Sequence, residues 1–168
     1  VKEMDAESGM PLESGYGEKL LGGNHLRIEA PYVIYNEETG YYYMFLSFGG
    51  LDSDGGYNIR VCRSENPNGP YVDSMGQDMK DCKGPAGSAF SDATAEQYGT
   101  KLMGGYKFTW KEGEEGEDRK GYLSPGHNSC LYQEETGKYF IIYHTRFENS
   151  GETHEVRVHQ MFFNEEGW

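Results

Sequence analysis

No stretch of this chain comes near the roughly 18 consecutive apolar residues of a membrane-spanning helix, so nothing in it is expected to cross a bilayer. Basic residues are scarce: 15 Lys and Arg stand against 28 Asp and Glu, for a net charge of −13. Nucleic acid and anionic membrane surfaces would both repel such a chain, and a strongly anionic substrate is disfavoured. Cysteine is rare and unpatterned. Cys62, Cys82 and Cys130 are odd in number and lack CxxC or zinc-type spacing, which predicts buried free thiols for those inside strands. Also absent are a Gly-rich phosphate loop, a GxSxG nucleophile elbow, an HExxH metal motif and an Asn-x-Ser/Thr sequon. Asp52-Ser53-Asp54-Gly55-Gly56 begins like a calcium loop, but Tyr57 stands where that loop needs Gly and Arg63 where it needs Glu. It reads as a tight hairpin loop. The chain opens at Val1 without an initiator Met or a signal-peptide pattern. It is expected to start after processing or to be a piece of something longer.

What the chain does have is a repeat. Tyr35-Asn36-Glu37-Glu38-Thr39-Gly40-Tyr41 through Ser47 is matched by Tyr132-Gln133-Glu134-Glu135-Thr136-Gly137-Lys138 through His144, 97 residues further on. The same spacing carries Tyr57-Asn58-Ile59-Arg60-Val61 onto His154-Glu155-Val156-Arg157-Val158. One supersecondary unit is used twice. Each copy has an apolar run, a polar turn ending in Gly, a second run rich in aromatic and β-branched residues, and a third alternating run. That pattern predicts an antiparallel meander with room for a fourth strand. Sheets repeating along a chain without helices between them predict an all-β fold of β-propeller blades. The alternative is a β-sandwich whose hairpins match by accident. Tyr dominates the aromatic residues, with 14 copies; about two-thirds of the rings are assigned to strand packing and the rest are free to stack on sugars.

At 168 residues the chain is long enough for one adequate core. Blade units are expected at about 28–110 and 122–168, with 1–27 forming the outer part of a preceding blade, all within one domain spanning 1–168. Strands are predicted at about 28–35, 41–48 and 57–64, then at about 126–133, 138–146 and 154–163, with a further strand over Leu102–Trp110. Residues 73–100 read as a long surface loop with one helical turn near Asp92–Gln97. Lys111–Lys120 reads as a charged turn.

The repeat also aligns two unusual sites. Glu29-Ala30-Pro31 corresponds to Gly126-His127-Asn128. In a propeller the first strand of a blade is innermost, so Glu29 and His127 would face one central channel. Pro31 suits an innermost strand, which is a sheet edge and can spare a backbone N–H. Glu29 lies among Ile28, Ala30, Pro31 and Tyr32, and a partly desolvated carboxyl there suits proton donation near neutral pH. A structural ion pair with Arg27 or Arg60 is the competing reading. One imidazole at His127 is no metal cage, so an ion held there would be mostly water-ligated. His144 and His159 are assigned to packing or surface.

Ile28-Glu29-Ala30-Pro31-Tyr32, the Tyr41–Gly50 run, Gly56-Tyr57-Asn58-Ile59-Arg60-Val61 and Ser124-Pro125-Gly126-His127-Asn128-Ser129 together resemble glycoside hydrolase family 43. Within it they are most similar to the endo-α-1,5-L-arabinanases. Tyr143-His144-Thr145-Arg146 and Glu155–Met161 fit the same group. The resemblance implies part of a five-bladed β-propeller with its active site at the central channel. It further implies inverting hydrolysis of arabinan by a general-acid Glu, a general-base Asp and a second, tuning Asp. Glu29 matches the general acid, and His127 matches a histidine that helps hold calcium or a similar ion. Tyr57 falls near a position lining the substrate groove. The two aspartates would lie upstream of Val1, so the chain alone is expected to be catalytically incomplete. A half ring would expose two blade faces and a strand edge. Association is therefore expected, either with a complementary chain carrying the N-terminal blades or with a second copy. The resemblance also implies secretion or a periplasmic location. An exo-acting arabinofuranosidase or β-xylosidase of the same family, or a non-catalytic carbohydrate-binding fragment, are the alternatives.

Overall fold

Asn36 ends the first strand by turning its side chain back on the backbone. Its Oδ1 accepts from the N–H of Glu38 at 2.9 Å and of Thr39 at 3.3 Å, while its carbonyl accepts from Gly40 N at 2.9 Å. Gly40 (φ 72°) and its repeat counterpart Gly137 (φ 64°) hold the left-handed conformation in which a side chain would be strained. Two hairpins built on these turns nucleate two sheets. The computed structural model describes residues 1–22, 27–54, 56–83, 98–106, 109–114 and 121–168.

The first sheet is antiparallel and runs in chain order: β1 (Ile28–Asn36), β2 (Tyr41–Phe48), β3 (Asn58–Ser64) and β4 (Thr100–Met103). The second holds β5 (Leu123–Gln133), β6 (Lys138–Arg146) and β7 (Glu155–Met161). Most expected strands are present, with two differences. The strand expected at Leu102–Trp110 is instead Thr100–Met103; it pairs with β3 and so closes the first sheet. The Gly104-Gly105 pair ends it. The fifth strand begins three residues before the expected start at Gly126.

β2 is central and buried on both sides, which is why its sequence does not alternate. Tyr43 and Phe45 point to the second sheet, where they meet Ile59, Val61, Cys130, Ile141 and Tyr143. Met44, Leu46 and Phe48 point the other way, onto Cys62, Tyr71, Met79 and Cys82, with Leu20 and Leu21 laid over them. Full burial of side chains of this kind contributes roughly 1.5–3 kcal/mol each. Within the surface loop expected of 73–100, Ser74, Met75, Gly76, Lys80, Asp81 and Lys83 are exposed, but Asp73, Met79 and Cys82 are buried, and Met79 and Cys82 anchor the segment to this cluster. The Asp73 carboxylate accepts from the N–H groups of Met75, Gln77 and Gly99 and from Gln77 Nε2. The helical turn expected near Asp92–Gln97 lies outside the described residues. All three cysteines are free and buried, as expected for Cys62 and Cys130; Cys82, outside any strand, is buried as well.

The C-terminal turn fastens the outer end of the seam between the sheets. Tyr43 Oη donates to the Gly167 carbonyl at 2.6 Å, and Arg63 donates to the Glu166 and Gly167 carbonyls at 2.6 and 2.7 Å. The Arg63 guanidinium also lies over the Tyr41 and Trp168 rings. The two sheets differ on their far sides. The far face of the first is covered, contrary to the expectation of two open faces. Leu131, Phe140, Ile142, Val156 and Val158 share the far face of the second, where Leu131, Val156 and Val158 are 54–65% exposed. Residues 1–22 form no strand and a single isolated bridge, Met4 to Pro11, and reach the first core through Leu20 and Leu21.

His144 on β6 is the misfit of this packing. Burial, followed by the positive neighbours His154, His127 and Arg146, pushes its imidazole down to about pKa 4. An unfolded chain takes up that proton near pH 6.5, whereas the folded chain resists it until about pH 4. The folded state therefore loses stability as pH falls through this window, by at most about 1.4 kcal/mol per pH unit. Chemical denaturation of metal-free protein between pH 7 and 5 should show a steeper loss for the native sequence than for His144→Gln. Parallel profiles would contradict the assignment.

Candidate active site

Three pairs of repeat-related positions converge where the two sheets begin. Glu29 and Gly126 are the first pair, and they face Ser47 and His144 across their own hairpins. Tyr57 and His154, just ahead of β3 and β7, complete the set. The correspondence extends to the backbone. β1 has a bulge between Glu29 and Tyr32, and β5 has one between Gly126 and Ser129. Inside these bulges Ala30 (φ 52°) and His127 (φ 50°) both adopt the left-handed conformation. Such a conformation is uncommon outside glycine and costs roughly 1–3 kcal/mol. Bulges of this kind re-aim side chains at the rim of a sheet.

The bulge leaves the Glu29 side chain exposed rather than in an apolar pocket. Its Oε1 accepts a hydrogen bond of 2.5 Å from the Tyr57 phenol. Its Oε2 has no hydrogen-bond partner among the described residues. The competing ion pair with Arg60 is not formed. Arg60 is buried, donates to Asn58 Oδ1 and to the Tyr98 carbonyl, and lies over the Phe48 ring.

Tyr57 has no exposed surface, so it does not line a groove as expected; it stands behind Glu29. Burial first, and the hydrogen bond to Glu29 second, push its phenol well above the ordinary tyrosine range, so it stays protonated. Its ring stacks on His144 at 5.8 Å between centroids and rests on Gly126. A Cβ at Gly126 would lie 2.0 Å from Tyr57 Cε1.

His127 is exposed, and its backbone N–H donates to Ser47 Oγ at 2.7 Å. This bond crosses from one sheet to the other and ties the His127 backbone to β2, at the residue that pairs with Glu29. The His127 ring lies 6.3 Å from that of His144, which lies 4.3 Å from that of His154. Burial and then Arg146 lower the pKa of His154. His144 Nδ1 is buried without a hydrogen-bond partner among the described residues. The other part of the rim is tied across the sheets as well. Ser53 donates through N and Oγ to the Glu152 carboxylate, and Ser124 Oγ donates to the Asp52 carbonyl at 2.5 Å. Arg146 pairs with Glu152 at 3.0 Å and donates to the Leu51 carbonyl. Leu51, Asp52 and Ser53, in the connection from β2 to β3, are thus fastened to the second sheet.

No three His, Cys, Asp or Glu side chains gather into a metal cage among the described residues. The structure brings Glu29 and His127, the two candidates of the sequence, to one joint, and adds Ser47, Gly126 and His154 to it. The repeat carries the signal for two of these, since Gly126 and His154 lie 97 residues beyond Glu29 and Tyr57; Ser47 shows itself only as the partner of Glu29 across the hairpin.

Comparison with known proteins bears on what this carboxyl serves. Residues 14–168 match the family described as glycosyl hydrolases family 43. The chain is 56% identical over its whole length to an extracellular endo-α-(1→5)-L-arabinanase 2 of Bacillus subtilis, covering 35% of that protein. It is 52% identical, again over its whole length, to the extracellular endo-α-(1→5)-L-arabinanase of Thermotoga petrophila, covering 34% of it. It therefore spans about a third of the length of these curated relatives. The crystal structure of endo-1,5-α-L-arabinanase from Thermotoga petrophila superposes on 99% of the chain with a TM-score of 0.85 at 50% identity, and 36% of that structure is covered. A family 43 glycoside hydrolase from Bacillus licheniformis does so with a TM-score of 0.86 at 54% identity, over 99% of this chain and 36% of its own. The two sheets are accordingly part of a five-bladed β-propeller. With residues 14–168 matched to the family and more than half of all positions shared with these relatives, the chain belongs to glycosyl hydrolase family 43.

Proposed function

We propose that this chain supplies the acid half of an inverting hydrolase of α-1,5-linked L-arabinan. One observation carries the reading. Glu29 is presented to solvent at the joint of the two sheets, with Oε1 anchored by Tyr57 and Oε2 open. In the reaction, water adds to the anomeric carbon as the glycosidic C–O bond breaks. Glu29 gives its proton to the departing oxygen, and a base takes the proton of the water. Inversion needs that base about 6.5–9.5 Å from the acid, and one carboxyl cannot do both tasks in a single displacement. The base and the aspartate that tunes the acid stand outside this chain. A neutral polysaccharide suits a protein of net charge −13, and relatives more than 50% identical are named endo-arabinanases. Those relatives are also named extracellular, which supports secretion.

The missing part has a place to dock. The apolar far face of the second sheet, with Leu131, Val156 and Val158 uncovered, fits the neighbouring blade of the ring. A complementary chain with the N-terminal blades is the first candidate to cover it, and a second copy is the next. Residues 1–27 would then be the outer edge of the preceding blade. His127 would hold calcium or a similar divalent ion as a single protein ligand, with water completing the shell; such an ion would add fixed positive charge beside the sugar site.

In the completed enzyme, Glu29→Gln should lower arabinan turnover by about 10²–10⁴-fold, yet largely spare an aryl arabinofuranoside whose leaving group needs no proton. Equal losses on both substrates would assign Glu29 a structural role. His127→Ala, or a chelator, should depress activity, with calcium restoring the chelated native enzyme and not the variant. An indifferent enzyme would remove the metal assignment. Sedimentation of the isolated chain should reveal self-association or binding of the complementary part; a dilute monomer with one sharp melting transition would contradict the docking face.

A further inference from the structure

We propose that Tyr57 is a positioning residue for Glu29, and that Gly126 on the neighbouring blade is bare because the Tyr57 ring occupies the space of its side chain. The inference rests on the reading of Glu29 as the general acid and adds the device that aims it. An exposed glutamate on a strand edge samples several rotamers, and each lost rotamer must be recovered before a proton can be delivered along one line. Tyr57 removes that freedom from behind. Its 2.5 Å bond holds Oε1, which leaves Oε2 as the oxygen that would deliver the acid's proton. On cleavage, that proton passes from Oε2 to the glycosidic oxygen while the carbon–oxygen bond breaks, and the phenol keeps its own proton.

The phenol is itself immobilised by the second sheet. Tyr57 is fully buried, stacked on His144 and seated on Gly126, where a Cβ would come within 2.0 Å of the ring. The contact is with a ring wedged into the core rather than with the tip of a flexible chain, so an alanine could not be absorbed by a small movement. The aim of an acid on one blade is thus set by a glycine on the next. A sugar-binding tyrosine would need an open face, and this ring has none.

The test uses the completed enzyme, assayed on linear arabinan and on an aryl arabinofuranoside with a good leaving group. Tyr57→Phe keeps the ring and deletes the hydrogen bond. It should lower kcat on arabinan by about 10–100-fold, leave KM within about twofold, and change the aryl substrate by less than about threefold. Gly126→Ala should show the same split, and in the Tyr57→Phe background it should add little, because the bond it disturbs is already gone. A rise in KM at constant kcat would make Tyr57 a sugar contact and overturn the proposal. Equal losses on both substrates, or full activity, would overturn it too. Glu29→Gln measured alongside separates the levels: if that variant lacks the leaving-group split, the acid assignment fails and this inference fails with it. If Glu29→Gln shows the split and Tyr57→Phe does not, only the positioning role is lost.

Discussion

The site depends on how closely one sheet can approach the other at Gly126. Along the seam, Tyr43, Phe45, Ile59 and Val61 meet Cys130, Ile141 and Tyr143, and these side chains set the separation of the sheets. At the inner end of the seam the spacing is taken up differently. There an aromatic ring from the first sheet lies directly on the second sheet's backbone. That contact brings Tyr57 behind Glu29 and lets Ser47 accept the His127 amide. Glu29 and the His127 backbone, from different sheets, are thus held relative to each other by core packing, not by a loop. Rigid elements hold a reactive geometry better than loops do.

Duplication was the part of this architecture most legible in the sequence. The matching Glu-Glu-Thr-Gly turns and the constant spacing placed both hairpins, and they aligned Glu29 with Gly126 in register. The repeat did not reveal the bulges, because Ala30 and His127 are not residues that advertise a left-handed backbone. Nor did it reveal the burial of Tyr57. A tyrosine before a strand, in a chain rich in exposed tyrosines, gives no sign of its depth, and the depth comes from a partner 69 positions away, Gly126. The packing of 73–83 was hidden for a similar reason. Its polar composition reads as loop, and the four hydrogen bonds collected by the buried Asp73 give it an anchor that composition does not show. The strand read as Leu102–Trp110 had its centre misplaced, since the glycine pair at 104–105 weighs more than the aromatic residues beyond it.

Duplication followed by divergence also describes the chemistry. Each sheet offers the same three positions at the joint, filled by Glu29, Ser47 and Tyr57 in one and by Gly126, His144 and His154 in the other. The first set carries an acid with its anchor. The second carries imidazoles and an empty place that receives the anchor. On this account the strained bulges and the low-pKa imidazole of His144 are costs of the site, offset by the aromatic seam that encloses them. The open apolar face of the second sheet belongs to the same logic, since a ring closes only if every blade keeps one face for its neighbour.

The most direct test of the central claim is a crystal structure of the completed enzyme, inactivated as Glu29→Gln, with an arabino-oligosaccharide spanning the cleavage point. The account predicts a glycosidic oxygen within hydrogen-bond distance of the side-chain nitrogen at residue 29, with the Tyr57 phenol still on its oxygen and His127 beside the same sugar. A sugar chain bound well away from residue 29, or a Tyr57 ring drawn out of its seat on Gly126 to stack on the sugar, would contradict it.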